Sequence, residues 1–306
     1  MRIVYDNIIF SLQKAGGISV YWSELLQRMG QSPHELSYYE AANQNAFRKN
    51  LGELAVHQER IPLPVLRYLP FYHRLPDKTL LHSSYYRVAW QAGVASVVTV
   101  YDFTYEYYRK GAARFIHSRQ KSSALQRAAG IICISVSTKK DLLSFHPGID
   151  PGRIRIIYPG VGPSFQPLAG ISSLLSEKFP AIAAKNYILF VGDRDYYKNF
   201  KIVLEALPEL GDLILVLVGG GPLKGVEKEA ALAGRLFHLQ GIDSDLLNVL
   251  YNGAFCLVYP SAYEGFGFPV VEAMRAGCPV IAARSSSIPE VAGSAALFLE
   301  PLDQVS

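Results

Sequence analysis

Cysteine is scarce. Cys133, Cys256 and Cys278 are the only three in 306 residues, too few and too scattered for a disulfide framework or a tetrahedral zinc site. Each lies in an apolar run, as a small buried side chain of a reducing compartment does. Charge is sparse as well, at 18% of residues against 50% hydrophobic, which excludes a disordered chain and supplies a sizeable core. Long apolar runs are missing, and none approaches the ~20 residues of a membrane span. The opening Met1-Arg2-Ile3-Val4-Tyr5 reads as a strand without a signal-peptide cleavage region. No solenoid repeat, low-complexity tract or recognised nucleic-acid motif is present. These absences leave the expectation of a cytoplasmic protein with no nucleic-acid partner.

The charge that is there is unevenly placed. Residues 1–165 carry 20 Lys and Arg against 11 Asp and Glu, a net +9, while residues 166–306 carry 10 against 15, a net −5. A basic and an acidic half suggest two domains with different partners. The basic half suits an anionic partner such as a phosphorylated lipid, a membrane surface or nucleic acid, the last disfavoured by the lack of a recognised motif.

Strand-like runs at 2–5, 95–101, 130–135, 153–158, 186–191, 213–218, 236–240, 254–259 and 279–282 alternate with helix-like segments at 17–29, 112–128, 137–144, 199–207, 244–251 and 269–276. Runs such as Leu213-Ile214-Leu215-Val216-Leu217-Val218 are continuously apolar, which fits parallel strands covered on both faces. The pattern predicts two doubly wound α/β units. Tyr158 to Pro167, with three prolines and two glycines, breaks any regular element and sets the domains at 1–165 and 166–306. Arg60 to Pro76 interleaves prolines, arginines and aromatics; a covered surface excursion is favoured over a loop facing a membrane or an acceptor.

Three places carry chemistry. Gly16-Gly17 opens a helix-like segment after the first strand, where close backbone approach and unpaired N–H groups favour an anion. Gly192 leaves an apolar strand and delivers Arg194 and Lys198 just before a helix, two cations placed to neutralise a diphosphate. In Tyr259-Pro260-Ser261-Ala262-Tyr263-Glu264-Gly265-Phe266-Gly267-Phe268-Pro269-Val270-Val271-Glu272, a strand ends, a glycine loop follows, and Pro269 suits the first position of a helix. Carboxylate acceptors beside loop amides suit a polyol such as a sugar. Gly219-Gly220-Gly221-Pro222-Leu223-Lys224 satisfies neither Gly-x-Gly-x-x-Gly nor a Walker loop, which disfavours a nicotinamide dehydrogenase.

Pro-Ser-x-Tyr-Glu-Gly-Phe-Gly-x-Pro-x-x-Glu-Ala-Met over 260–274 resembles the signature of family 4 (group 1) retaining glycosyltransferases of GT-B fold. Ile131 to Ser137, Ile157 to Val161, Val191 to Asn199, Gly277 to Ile281 and Ile288 to Val291 follow in family order. The resemblance implies a GT-B chain: two Rossmann-like doubly wound parallel-sheet domains facing a cleft, the first on the acceptor side and the second holding a sugar nucleoside diphosphate. By that resemblance Arg194 and Lys198 hold the diphosphate, with Gly192 on their loop and Gly16 and Gly17 closing from the other domain. Glu264, Gly265 and the amides of Phe266 and Gly267 take the donor sugar, Glu272 the ribose, and Gly241, Ile242 and Leu246 the base.

The family's His-Asp here reads Tyr101-Asp102; the phenol can donate a hydrogen bond but does not become cationic, while Asp102 could orient the acceptor or its loop. His82 is weighed as a participant and favoured as a core or loop histidine. Asp193-Arg194-Asp195 and Asp243-Ser244-Asp245 match the Asp-x-Asp that holds a metal in other sugar transferases, but Asp243 reads more simply as a helix N-cap, and neither metal nor cofactor is expected. At Pro301-Leu302-Asp303 the family begins a crossover and terminal helices, expected to be missing here. The implied activity is transfer of a hexose, mannose from GDP-mannose slightly preferred, to a glycan or lipid-linked acceptor in polysaccharide biosynthesis. The protein would be cytoplasmic, with peripheral contact at the inner membrane face through its basic half. The alternative is a non-catalytic sugar-nucleotide-binding subunit.

Overall fold

The computed structural model describes residues 1–299, so the expected crossover at 301–303 lies outside the described residues. The chain forms two compact units, Met1–Gly160 and Val161–Ser306. This division falls ahead of the 165/166 boundary read from proline and glycine content. The distal half of that linker is already anchored in the second unit: Phe165 is buried there, edge-on to Tyr251 at 5.9 Å, and its carbonyl accepts from Arg275 Nε at 2.8 Å.

The first unit holds β1 (Arg2–Asp6), β2 (Glu35–Glu40), β3 (Val56–Gln58), β4 (Thr79–Ser83), β5 (Val94–Val100), β6 (Gly130–Cys133) and β7 (Ile154–Ile156), ordered β3-β2-β1-β4-β5-β6-β7. The second holds β8 (Tyr187–Val191), β9 (Ile214–Val218), β10 (Leu236–Leu239), β11 (Cys256–Tyr259), β12 (Val280–Ala283) and β13 (Ala296–Leu299), ordered β10-β9-β8-β11-β12-β13. Every paired strand is parallel. In each sheet the winding reverses once, at β1/β4 and at β8/β11. A crevice opens at such a reversal because the helices on its two sides cover opposite faces.

Double coverage is plain in β9. Ile214, Val216 and Val218 belong to one apolar cluster, and Leu215 and Leu217 to another on the opposite face. Patterning overlooked β2, β3 and β4, which lack a continuous apolar run, and also the short apolar edge strand β13. Glu35-Leu36-Ser37-Tyr38-Tyr39-Glu40 and Thr79-Leu80-Leu81-His82-Ser83 mix polar and apolar residues, yet β1 pairs with both. Neighbouring strands, rather than their own composition, determine their conformation.

The excursion over 60–76 is anchored rather than covered: Leu66, Phe71 and Leu75 are buried, while Val65, Tyr68 and Tyr72 are about half exposed and Arg60, Pro62, Pro64, Arg74 and Pro76 stay at the surface. The three cysteines are free and buried. No helix among the described residues is long and apolar enough to cross a membrane.

Candidate functional site

The second unit's site grows from the carboxyl ends of β8 and β11, adjacent strands at its winding reversal. After β8 the chain turns at Gly192 (φ +133°) and runs through Arg194 to a single turn at Tyr196–Lys198. Arg194 is held from three sides. Its Nε donates to Glu227 Oε1 at 2.9 Å, and its Nη2 donates to the carbonyls of Gly221 and Pro222 at 2.6 and 2.9 Å. Its Nη1 is buried with no hydrogen-bond partner among the described residues, so one strong donor remains for an incoming group. Gly220 is required here: its φ is +74°, and a Cβ would stand 2.5 Å from Arg194 Nη1.

Lys198 Nζ forms an ion pair with Glu264, which the β11 loop delivers. Tyr259, at the end of β11, donates to the same Glu264 Oε1 at 2.6 Å. One turn into the Phe268–Ala276 helix, Glu272 Oε2 accepts from Tyr251 at 3.0 Å. Loss of hydration pushes the Glu272 carboxyl up to about 7, with the Tyr251 hydrogen bond opposing. Each glutamate thus faces a buried tyrosine, whose phenol burial keeps protonated and donating. Gly267 starts the helix at φ +97°, where a Cβ would collide with Ile288 Cδ1 at 2.5 Å.

The two loops are stitched together. Asn199 Nδ2 donates to Pro260 O at 2.9 Å, and Ala262 N donates to Tyr197 O at 2.7 Å. Behind them Ser285, Ser286 and Ser287, which follow β12, hold the β11 loop: Ser285 Oγ donates to Ser261 O at 2.6 Å, and Ser287 Oγ to Glu264 O at 2.9 Å.

Gly241, Ile242 and Leu246 follow the edge strand β10, roughly 10 Å from β8 at two strand spacings. Gly241 turns at φ +68°, and Ile242 packs against the core. Asp243 caps the Ser244–Gly253 helix by accepting from Leu246 N at 2.8 Å. Arg194, Lys198, Glu264 and Glu272 therefore gather at one reversal, with the base candidates on the neighbouring edge. Gly265 and Phe266 lie on the same loop, and the Phe266 ring is buried.

In the first unit Gly16 precedes the Gly17–Met29 helix, which has no side-chain cap. Tyr101 is buried; its hydroxyl donates to Ser84 O at 3.4 Å and its ring meets Tyr21 edge-on. Burial raises its pKa well above the usual value, which keeps it a donor and unsuited as a base. Asp102 Oδ1 accepts from Thr104 N at 2.9 Å, and its carbonyl accepts from the buried Lys121 at 2.9 Å. His82 is a core residue: it bonds Thr99 Oγ1 at 3.0 Å, and burial lowers its pKa to about 4.

Sequence reasoning overlooked Glu227, Tyr251, Tyr259 and the serine run. The periodicity of Tyr251 and Tyr259 marked only core, and nothing local links Glu227 to an arginine 33 residues away.

Residues 15–165 match the model described as Glycosyltransferase Family 4, and residues 174–304 that described as Glycosyl transferases group 1. An O-antigen chain mannosyltransferase B of Escherichia coli is 34% identical over 133 residues, 40% of this chain and 35% of that protein. An O-antigen chain mannosyltransferase of Salmonella typhimurium is 27% identical over 216 residues, 68% of this chain and 58% of that protein. The chain's matches thus span less than two thirds of these relatives. The solved structure of Anabaena HepE in complex with UDP-glucose matches with a TM-score of 0.76 at 16% identity, over 99% of this chain and 86% of that one. At that identity the likeness speaks for the fold alone, and with two parallel α/β sheets the fold is GT-B. The chain belongs to the group 1, family 4 glycosyltransferases.

Proposed function

We propose that this protein transfers a hexose, with retention and without a metal, from a sugar nucleoside diphosphate to a hydroxyl of a glycan or lipid-linked acceptor. The observation that carries this reading is the charge arrangement at the β8/β11 reversal. An arginine with one buried unpartnered N–H and a paired lysine stand beside a carboxylate able to take sugar hydroxyls. Arg194 and Lys198 stabilise the charge that grows on the leaving diphosphate. Glu264 and the Gly265–Gly267 loop hold the sugar, Glu272 the ribose, and Gly241, Ile242 and Leu246 the base.

The bond from the anomeric carbon to the phosphate oxygen breaks as the acceptor oxygen bonds to that carbon on the same face. The acceptor proton passes to the leaving phosphate. Tyr101, in the family's histidine position, gives its hydroxyl hydrogen to Ser84 O, and Asp102 orders its own loop by accepting from Thr104 N.

The mannosyltransferase relatives favour mannose as the hexose, with GDP-mannose as the donor of this proposal, and a neighbour that binds UDP-glucose supports a nucleotide-sugar donor. A peripheral membrane contact belongs to the same proposal. On the Gly111–Arg127 helix, Phe115 and Ile116 are exposed at 61% and 45% alongside Arg114 and Arg119, a mixture suited to an anionic bilayer. Co-sedimentation with vesicles containing anionic lipid, reduced in Phe115→Ser, tests it.

The central test is a panel of sugar nucleotides followed by thermal shift and turnover, with and without chelator. Turnover that survives chelation is expected. A strict chelator-sensitive requirement overturns the metal-free part. Thermal stabilisation with no turnover on any donor leaves the binding-subunit reading, which the buried Tyr101 in the family's histidine position favours.

A further inference from the structure

Ser286 is one of three non-glycine residues with positive φ among the described residues, at +43°, beside Lys78 and Asn199. This is a left-handed conformation that L side chains rarely adopt, and it persists only where surrounding contacts hold it. Two of the three belong to the same site: Asn199 follows Lys198 and reaches the β11 loop at Pro260, and Ser286 reaches that loop at Glu264. The Ser286 hydroxyl serves both sides of one residue. It accepts from Glu264 N at 2.7 Å and donates to Glu264 O at 3.0 Å. A single Oγ satisfying both polar groups of one peptide residue must sit between them, and the left-handed backbone of Ser286 is what brings it there.

We infer that Ser286 is a positioning residue for the donor sugar. It locks the Glu264 backbone so that the carboxylate stays on Lys198 and Tyr259, ready for sugar hydroxyls. This rests on the donor-site reading above and adds a residue and a selectivity to it. Glu264 meets the sugar and not the nucleotide, so Ser286 governs preference for the sugar nucleotide over the bare nucleoside diphosphate. The backbone strain is retained for the sake of the hydroxyl.

Two substitutions separate strain from hydroxyl. Ser286→Gly relieves the strain and removes the hydroxyl; Ser286→Ala keeps the strain and removes the hydroxyl. Thermal stability of Ser286→Gly should equal or exceed that of the parent. Its affinity for GDP or UDP should be unchanged, while its preference for the matching sugar nucleotide and its turnover fall roughly tenfold, the size of one lost hydrogen bond to a positioned group. Ser286→Ala should show the same loss of preference with lower stability, and Ser286→Thr, which keeps the hydroxyl, should restore part of it. A Ser286→Gly protein with unaltered preference and turnover would reduce Ser286 to a strained turn residue and overturn the inference. Amide hydrogen exchange at Glu264 gives a readout independent of ligand: it should quicken in Ser286→Gly with the rest of the second sheet unchanged, and an unchanged rate overturns the inference. If the parent protein itself binds no nucleotide, the donor-site reading fails while the exchange result still decides whether Ser286 holds Glu264.

Discussion

The two sheets share one winding order yet treat charge at their reversals in opposite ways. At β1/β4 the charges are buried and consumed. Asp6 accepts from Arg87 Nη1 and Ser83 Oγ, each at 2.9 Å, and Arg87 also reaches Glu59 at 3.2 Å. All three groups are almost fully buried, and Phe71 lies over the guanidinium at 5.6 Å. At β8/β11 the charges are left partly unspent: among the described residues Arg194 Nη1 has no partner, and burial pushes the Glu272 carboxyl up to about 7. One reversal pins a surface excursion to its sheet, and the other is poised for a ligand. Net charge misleads here, because the cations we propose for the diphosphate stand in the acidic half and the basic half spends a buried arginine on structure.

The largest effect that would break this contrast lies in the first unit. Arg87→Ala leaves Asp6 and Glu59 buried without their cation and should cost ~3–5 kcal/mol. The loss should confine itself to one unfolding transition, with thermal stabilisation by a nucleoside diphosphate preserved in the other. Equal loss in both transitions would show that the units are not energetically separate.

In the second unit Lys198→Ala should lower turnover ~10²-fold or more, as removal of a preorganised charge stabiliser does. A loss under about threefold at saturating donor takes Lys198 out of that role. Glu227→Ala, which frees Arg194 to swing, should cost roughly tenfold in the parent and little more in an Arg194→Ala background, since coupled residues are not additive. Full additivity would make Glu227 a helix-end residue that merely accepts from Lys224 N.

The smallest expected effect is a slope. The Glu272 carboxyl titrates at about 7 in the folded protein against 4.5 ordinarily. Its contribution is whole below about 4.5 and is lost as pH rises through about 7. The unfolding temperature should therefore decline across that window, and Glu272→Gln should flatten the decline. An identical slope in the variant would place the titration elsewhere.

Much of this was legible in one dimension. The continuous runs at β8, β9 and β11 announced buried parallel strands, and the helices opened by Gly17 and Phe268 lay where glycine and proline pointed. Polar-mixed β2 and β4 were not legible, because pairing with β1 makes them strands. The Glu264 loop was legible as a glycine turn ahead of a proline-started helix; the serines that hold it were not, because they act from the end of another strand.

Local composition by itself determined the alternation of elements, the α/β class and the residue types suited to phosphate and sugar, since periodicity and turn chemistry are short-range. Only the tertiary structure decided which charges meet. Lys198 finds Glu264 across 66 residues, Arg194 finds Glu227 across 33, and Arg87 finds Asp6 across 81. Strand order sets those encounters, and burial then decides whether each charge is neutralised or left ready for a ligand.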